Sequence, residues 1–178
     1  MPNSDLSSVL TTNDQIDAAI TGPRTRRVWT YWRQQAGAAP APGWADFNLM
    51  DVYRDAPFML VLDVLPETAP VDYLYRFVGT MIVHYRWKLP VPDHTGLRYS
   101  ATQHQYDFHE VKACYDQCAE SGHPVLMRRD YDVYDASGVH ERLVLPLIGP
   151  DGTTEKLAVI LDRLSETKKS VPDAPHRF

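Results

Sequence analysis

The chain has 178 residues, with 18 Lys and Arg against 23 Asp and Glu, so its formal charge at pH 7 is −5. This length suits one domain, and 44% hydrophobic with 23% charged residues is typical of a globular protein, which excludes disorder throughout. The negative charge argues against a nucleic-acid partner, and the longest apolar run, Phe58 to Leu62, is far shorter than a membrane span. The polar start lacks a secretion signal and the two cysteines make no disulfide framework, so we expect a cytoplasmic protein.

The first third of the chain predicts two helices and a short helical turn. Asn13 is a candidate cap for a short first helix. A second helix is predicted from Pro23 to about Ala36, because proline suits a first helical turn and a Gly- and Pro-rich linker follows. The apolar stripe of this helix consists of Thr25, Val28, Trp29, Trp32 and Ala36. A further helical turn is predicted near 49–53, with Asn48 as its cap.

The remaining sequence predicts strands and one more helix. Apolar or alternating segments bounded by turn residues predict strands at 58–65, 72–78, 125–134, 139–148 and 156–161. Residues 80–104 are predicted to be irregular, and a helix is predicted from Asp107 to Glu120, ending at Gly122. Turns at 135–138 and 150–152 favour hairpins. We therefore predict an α+β domain: a five-stranded antiparallel sheet with helices on one face and an N-terminal flanking helix.

These elements divide the chain into three parts. Residues 1–23 are predicted to be a tail with a short helix, residues 24–162 a folded domain, and residues 163–178 a polar tail. Inside the domain, Pro146 lies in a predicted interior strand, where it cannot donate a ladder hydrogen bond. We therefore expect a bulge at this proline, or a strand side without a partner.

Five short motifs follow one another along residues 24–162. They are an aromatic helix at 28–33, an apolar strand at 58–63, Tyr-Arg-x-x-Gly-Thr at 75–80, a Thr-Gly segment at 93–98 and an apolar-Pro-Leu strand at 143–147. In this order they resemble a bacterial family of stand-alone PAS-like proteins, and the order of elements resembles PAS sensory domains in general. The resemblance implies a sheet of five antiparallel strands with helices between the second and third. It implies no catalytic residue and no particular ligand, and the bulky, basic stretch 83–88 departs from the family pattern.

This resemblance predicts a non-catalytic sensory module of bacterial signalling that binds a small molecule between sheet and helices. Binding would shift a population of conformations and act on a separate signalling partner or a dimer interface. The predicted pocket residues are Tyr75, Arg76, Phe77, His94, Tyr99, Phe108 and Tyr131. The helix face of Val28, Trp29 and Trp32 is expected to pack on its own sheet or on a second copy, rather than to lie on a membrane or leave its arginines for nucleic acid. Of the two, a homodimer is preferred.

Arg76 admits two interpretations. Facing the pocket, its planar guanidinium suits a carboxylate ligand, whereas facing outward it pairs with Asp63 or another neighbour. Strand alternation places Tyr75 and Phe77 together on the face opposite Arg76, and aromatic residues usually take the core side. The outward orientation is therefore favoured.

The histidines are weighed as pocket groups and haem ligands. His94, within Asp-His-Thr-Gly, is the best candidate for a polar pocket group, whereas His109 and His140 are expected to be exposed. A haem-binding PAS domain uses a histidine near the pocket mouth, where His84, His94 and His104 are expected, as its axial ligand. We do not expect haem, because a lone loop histidine is usually polar surface, and the cofactor stays unknown.

Two other functions stay open beside the non-catalytic one. A small cone-fold enzyme, such as a hydratase or isomerase, moves a proton with a histidine and a carboxylate. Its candidate pairs are His94 with Asp93 and His109 with Glu110. The other alternative is an interaction scaffold whose cavity is vestigial. Phosphate loops, GxSxG elbows and HExxH motifs are absent from the sequence, and no metal site is predicted, because Cys114 and Cys118 alone do not complete one.

Overall fold

The computed structural model describes residues 8–105, 107–133 and 136–169, which form one antiparallel sheet with helices on both faces. The strands are β1 (Ser8–Leu10), β2 (Met59–Leu65), β3 (Asp72–Val78), β4 (Val125–Asp132), β5 (Ala136–Ile148) and β6 (Thr154–Lys168). The helices are α1 (Asn13–Ala19), α2 (Pro23–Ala36), α3 (Thr80–Tyr85) and α4 (Phe108–Ser121). Turns of 3₁₀ helix lie at Trp44–Asp46, Leu49–Val52, Ala56–Phe58 and Tyr99–Thr102. The strand order is β1-β4-β5-β6-β2-β3, and neighbouring strands are antiparallel.

The predicted α+β class is confirmed, but the sheet in the described part of the chain has six strands instead of five. The additional strand is β1, whose Leu10 pairs with Leu126 of β4, inside the predicted tail 1–23. A strand of three residues is too short to show alternation, so only its pairing defines it. At the other end β6 reaches Lys168, inside the predicted tail 163–178, because it pairs with β5 that far.

The hairpin between β4 and β5 is longer than predicted. The residues from Ala136 to Gly138 were expected in a turn, yet they pair with β6 as the first residues of β5. Gly138 permits this close approach, since a Cβ there would overlap the backbone of Ser165. Two residues assigned to this strand end and turn by the sequence, Tyr134 and Asp135, lie outside the described residues.

Apolar side chains cover both faces of the central strands. On one face, here called the crossing face, Val144 and Val159 pack with α3 and α4. On the other, here called the N-terminal face, Leu143, Leu145 and Ile160 pack with α1 and α2. The expectation of helices on one face only is therefore wrong. Central strands with apolar residues at successive positions need cover on both sides, and the N-terminal helices supply the second layer.

The tryptophan face of α2 packs against the sheet of its own chain. The exposed fractions of Val28, Trp29 and Trp32 are 0%, 2% and 0%, and the two indole rings stack with centres 5.5 Å apart. Trp29 Nε1 donates to Asp17 Oδ1 at 2.9 Å. The prediction that these three residues form a homodimer interface is therefore wrong, because the sheet already covers them.

Pro146 lies where its missing N–H disrupts no pairing with β4. The last residue of β5 that pairs with β4 is Val144, so the strand continues beyond the end of its neighbour. There the Pro146 carbonyl accepts a hydrogen bond from Trp32 Nε1 at 3.0 Å. This confirms the expectation of a strand side without a ladder partner.

Two buried carboxylates hold the N-terminus of α2, whose predicted limits are confirmed. Glu141 Oε1 accepts from the backbone N–H of Gly22 at 3.0 Å, and Asp162 Oδ2 accepts from that of Arg24 at 2.9 Å. These two acids face each other across β5 and β6, and Arg24 and Arg128 form ion pairs with them, both at 2.6 Å. Negative charge at a helix N-terminus also complements the helix dipole.

The first helix begins one residue earlier than predicted. Its cap is Thr12, whose Oγ1 accepts from the backbone N–H of Gln15 at 3.3 Å, rather than Asn13. Threonine and asparagine are both good caps, so the sequence alone does not separate two adjacent candidates. The predicted cap Asn48 is confirmed, since its Oδ1 accepts from Met50 N–H at 3.0 Å.

The segment 80–104, here called the crossing, is more regular than predicted, because it contains α3 and the turn Tyr99–Thr102. Between them the chain returns to the sheet and covers the outer side of β3. Tyr75 N–H donates to the Leu97 carbonyl at 3.0 Å, and Gly96 N–H donates to the Tyr75 carbonyl at 2.8 Å. These bonds fix the crossing segment over one face of the sheet.

Candidate functional site

The crossing face holds a cavity of about 340 Å³. It lies between the sheet and the chain that leads from α3 to the start of α4. Its sheet wall includes Tyr131 of β4, Arg142 of β5 and Arg163 of β6, and its opposite wall includes Ile82 and Trp87. Apolar, aromatic and charged groups therefore meet in one space, as they do in small-molecule sites.

Strand alternation brings several polar groups onto the sheet wall. His140 and Arg142 are two residues apart on β5 and so point to the same face. His140 is the register partner of Arg163 on β6, and Arg142 is the partner of Leu161. The Arg163 guanidinium lies 3.6 Å from the ring centre of Tyr85, so it links the sheet wall to α3.

Arg86 lies on the opposite wall, directly after α3. Its guanidinium donates to His94 Nδ1 and to Gln105 Oε1, both at 3.0 Å. Because arginine has no acceptor, His94 Nδ1 must accept, which places the proton of a neutral ring on Nε2. In the described part of the chain, no carboxylate forms an ion pair with Arg86. Uncharged groups therefore hold this cation at the cavity wall.

His140 is 5% exposed, so the expectation of an exposed residue beside a turn is wrong. The reason is that β5 begins earlier and carries His140 beneath the crossing. Burial first, and Arg142 second, lower the pKa of His140 to about 3, and Asp107 acts in the other direction. The ring is neutral at pH 7, and its buried Nε2 has no hydrogen-bond partner within the described residues.

His94 is fully buried and contacts the cavity wall through Arg86. Burial first, and Arg86 second, lower the pKa of His94 to about 4, so this ring is also neutral at pH 7. Its ring centre lies 5.3 Å from that of Tyr75 and 5.4 Å from that of His104. The predicted pocket group therefore positions a cavity residue and packs in the core.

The other predicted pocket residues divide between the cavity and the core beside it. Tyr131 lines the cavity. Tyr75, Tyr99 and Phe108 form a buried aromatic stack, with ring centres 6.1 Å apart for the first two and 4.7 Å for the last two. Tyr99 also donates its hydroxyl to the Phe108 carbonyl at 2.7 Å. This stack supports the crossing from which the cavity wall is built.

Arg76 and Phe77 lie away from the cavity. Arg76 is exposed and pairs with Asp63, which confirms the outward interpretation. Phe77 packs with the core of the N-terminal face, whereas Tyr75 belongs to the crossing face, so the expectation that they share a face is wrong. The cause is a β-bulge: Val61 pairs with Phe77 and the next residue of β2 pairs with Tyr75, which leaves Arg76 as the extra residue.

Apart from Tyr131, the residues that line the cavity were not among the predicted pocket residues, and they include Arg86, His140, Arg142 and Arg163. One signal was present in the sequence, because the unusual stretch 83–88 contains Arg86 and the neighbouring wall residues. The alternation of His140, Arg142 and Val144 also places two polar groups on the face of a core valine. What this pattern lacks is any indication that a cavity, rather than solvent, lies over that face.

Metal and thiol chemistry have little support in the described part of the chain. There, no group of three or more His, Cys, Asp or Glu side chains is placed to hold a metal ion. Cys114 and Cys118 are buried in α4, and burial raises the pKa of both thiols. None of the helices within these residues combines the length and apolar character needed to cross a bilayer.

Comparison of the chain with models of known families, with curated proteins and with solved structures gives no match. The cavity and its lining are therefore the observations from which a function is argued.

Proposed function

We propose that this protein is a non-catalytic, PAS-like sensory module that binds a small molecule in the cavity of the crossing face. The observation that carries the proposal is the cavity of about 340 Å³ between sheet and helices, lined by both apolar and charged side chains. The PAS-like assignment is supported by the strands β2 to β6, with α3 and α4 inserted between the second and third of them.

The wall of the cavity suggests how binding changes the protein. Arg163 on the sheet and Tyr85 on α3 face each other at the edge of the cavity, with the guanidinium carbon 3.6 Å from the centre of the tyrosine ring. A ligand that contacts both walls favours conformations with one spacing between α3 and the sheet, and so shifts the population toward them. A separate signalling partner or a second copy would then recognise the surface of the crossing.

The basicity of the histidines favours binding over proton transfer. A general base works best with a pKa near the operating pH, whereas the pKa values of His140 and His94 are lowered to about 3 and about 4. His140 and Asp107 do line the same cavity, but Arg142 contacts that carboxylate at 3.3 Å. A neutral imidazole beside a paired carboxylate suits recognition better than catalysis.

The candidate catalytic pairs from the sequence do not come together in the cavity. Asp93 is exposed, and its Oδ1 accepts from the hydroxyl and the N–H of Thr95, at 2.7 Å and 2.9 Å, rather than from His94. His109 and Glu110 are exposed on α4. A hydratase or isomerase using either pair therefore has no support from the geometry.

Native mass spectrometry of freshly purified protein tests the proposal. We expect a bound small molecule at a ratio of one per chain, lost when Leu161→Phe partly fills the cavity and kept when Leu65→Phe, at the far end of β2, adds the same ring elsewhere. The proposal is wrong if no molecule is bound and a broad metabolite panel leaves the melting temperature of the wild-type protein unchanged.

A further inference from the structure

The charges around the cavity are opposite in sign to those of the whole chain. The protein carries a formal charge of −5, yet four basic side chains, Arg86, Lys88, Arg142 and Arg163, line this cavity. Its two acidic lining residues are engaged already, Asp107 with Arg142 at 3.3 Å and Asp132 with Lys169. The cavity is thus a local concentration of positive charge in an acidic protein.

Arg86 is the basic group best placed for a new partner. Arg163 pairs with Glu166 and Arg142 with Asp107, whereas the guanidinium of Arg86 is held by two neutral acceptors. A half-buried guanidinium oriented by uncharged groups keeps its full charge and a fixed geometry. It is therefore prepared to receive an anion with small loss of side-chain entropy.

The sheet wall, opposite Arg86, also carries positive charge. Arg142 and Arg163 line this wall beside His140, and Asp107 is the acidic side chain paired with Arg142 there. Burial is the largest cause of the low pKa of His140, and Arg142 lowers it further. His140 is 5% exposed, and its Nε2 is buried without a hydrogen bond in the described structure, so the wall also holds an unused polar group.

Much of the remaining lining is apolar or aromatic, beside the polar His104 and Gln105. Leu60, Ile82 and Leu161 line the cavity together with the rings of Tyr85 and Tyr131. Such walls exclude water and receive a flat or branched hydrocarbon body. The two kinds of lining together define a ligand with an apolar body and an anionic group.

We propose that the ligand of this cavity is an organic carboxylate with an aromatic or branched apolar body, whose carboxylate pairs with Arg86. This inference rests on the proposed function and specifies the class of ligand. Guanidinium and carboxylate match in geometry, and a hydrogen bond between charged partners in a partly buried site is stronger than a neutral one. The carboxylate would occupy the place that no acidic side chain of the described residues takes.

The test compares 2-naphthylacetate with 2-naphthylacetamide, which has nearly the same shape but no charge. Binding of each to the full chain is followed by isothermal titration calorimetry and by amide shifts in nuclear magnetic resonance spectra. We expect the acid to bind about tenfold or more tightly than the amide, with shifts concentrated in α3 and in β5 and β6 around the cavity.

Matched variants then assign the charge to one residue. Arg86→Gln should weaken acid binding about tenfold and leave amide binding unchanged, whereas Arg86→Lys should retain part of the preference. Arg76→Gln removes the same charge from an exposed position of β3 away from the cavity, and this variant should bind both compounds as the wild type does. Thermal melting shows whether each variant is folded, and if Arg86→Gln is not, the acid and amide comparison on the wild type decides.

The outcomes separate this inference from the proposed function. Equal binding of acid and amide, or of wild type and a folded Arg86→Gln variant, overturns the carboxylate assignment and leaves the binding cavity standing. A neutral molecule co-purified with the protein has the same consequence. If neither probe binds, the assigned ligand class is wrong. The binding function is wrong as well only if, in addition, no molecule co-purifies and the metabolite panel leaves the melting temperature unchanged.

Discussion

Two neutral, buried histidines lie in or beside the cavity, and each has a low pKa for the same reason. His140 and His94 are desolvated, and each lies near an arginine that disfavours a second positive charge. At the scale of single residues, the cavity therefore depends on imidazole rings that stay uncharged. Protonating either one would place a cation among cations in a site with few compensating groups.

This arrangement predicts that folding stability falls as the pH drops below 6.5. The pKa of His140 is lowered from 6.5 to about 3, so the unfolded chain binds more protons than the folded one between these values. The contribution of His140 to stability is therefore fully present above pH 6.5 and is lost progressively toward pH 3, by about 1.4 kcal/mol for each pH unit inside this window. His94, whose pKa is lowered to about 4, adds a loss of the same sign. Urea unfolding at pH 7.5 and 5.5 measures the change.

The control for this prediction is a comparison of two histidine variants. His140→Gln should reduce the loss of stability between pH 7.5 and 5.5, whereas His109→Gln, on the exposed side of α4, should behave as the wild type. Identical pH dependence in all three proteins would contradict the prediction.

At the scale of elements, the N-terminus of α2 shows how the sheet fixes a helix. Glu141 and Asp162 are neighbouring strand residues with exposed fractions of 0% and 1%, and both accept hydrogen bonds from the start of the helix. Gly22 lies so close to both acids that a Cβ there would contact their side chains. The helix therefore has one place and one direction of approach on the N-terminal face.

We expect Glu141→Gln to destabilise the protein by about 2 kcal/mol. The amide loses the ion pair with Arg128, and its NH₂ group faces N–H donors instead of accepting from them. The estimate follows because a hydrogen bond to a charged group contributes about 1.5–3 kcal/mol. Asp130→Asn, an exposed change of the same kind on β4, should cost less than about 0.5 kcal/mol. Chemical denaturation measures both, and equal small effects would show that the anchor contributes little.

The elements also show what periodicity predicts well. The limits of α2 and β3 agree with the sequence, and so does the apolar stripe of α2, because alternating and helical patterns report directly which face is buried. The bulge at Arg76 does not agree, because one inserted residue leaves the pattern of a strand intact while reversing every side chain beyond it. The strand β1 depends on a partner that is far away in the sequence.

At the scale of the whole molecule, the candidate site was the least predictable part. The cavity arises because residues 80–105 are held over the ends of β4, β5 and β6, which is a tertiary juxtaposition with no local signature. His94, Tyr75 and Phe108 were chosen as pocket residues from loop position and aromatic character. They form the support of the crossing, while residues such as Arg86 and Arg142 form the wall.

The two helix layers should unfold together with the sheet. The central strands present apolar residues on both faces, so loss of either layer would expose Leu143 and Ile160 or Val144 and Val159 to water. We expect one urea transition, with the same midpoint by tryptophan emission and by far-ultraviolet circular dichroism. Separate midpoints would show instead that α1 and α2 detach while the sheet stays folded.

The two outer edges of the sheet differ in how they are covered. On one side, the described residues of β1 pair with Leu126, Met127 and Arg128 of β4. On the other side, residues 96–98 form backbone hydrogen bonds with the open edge of β3. Exposed strand borders recruit strands from other molecules, which leads to edge-to-edge aggregation, and covering them is a common protection. On the β3 side, residues 96–98 already occupy the backbone groups that a strand from a second molecule would need, so the sheet cannot be extended past this cover without displacing it.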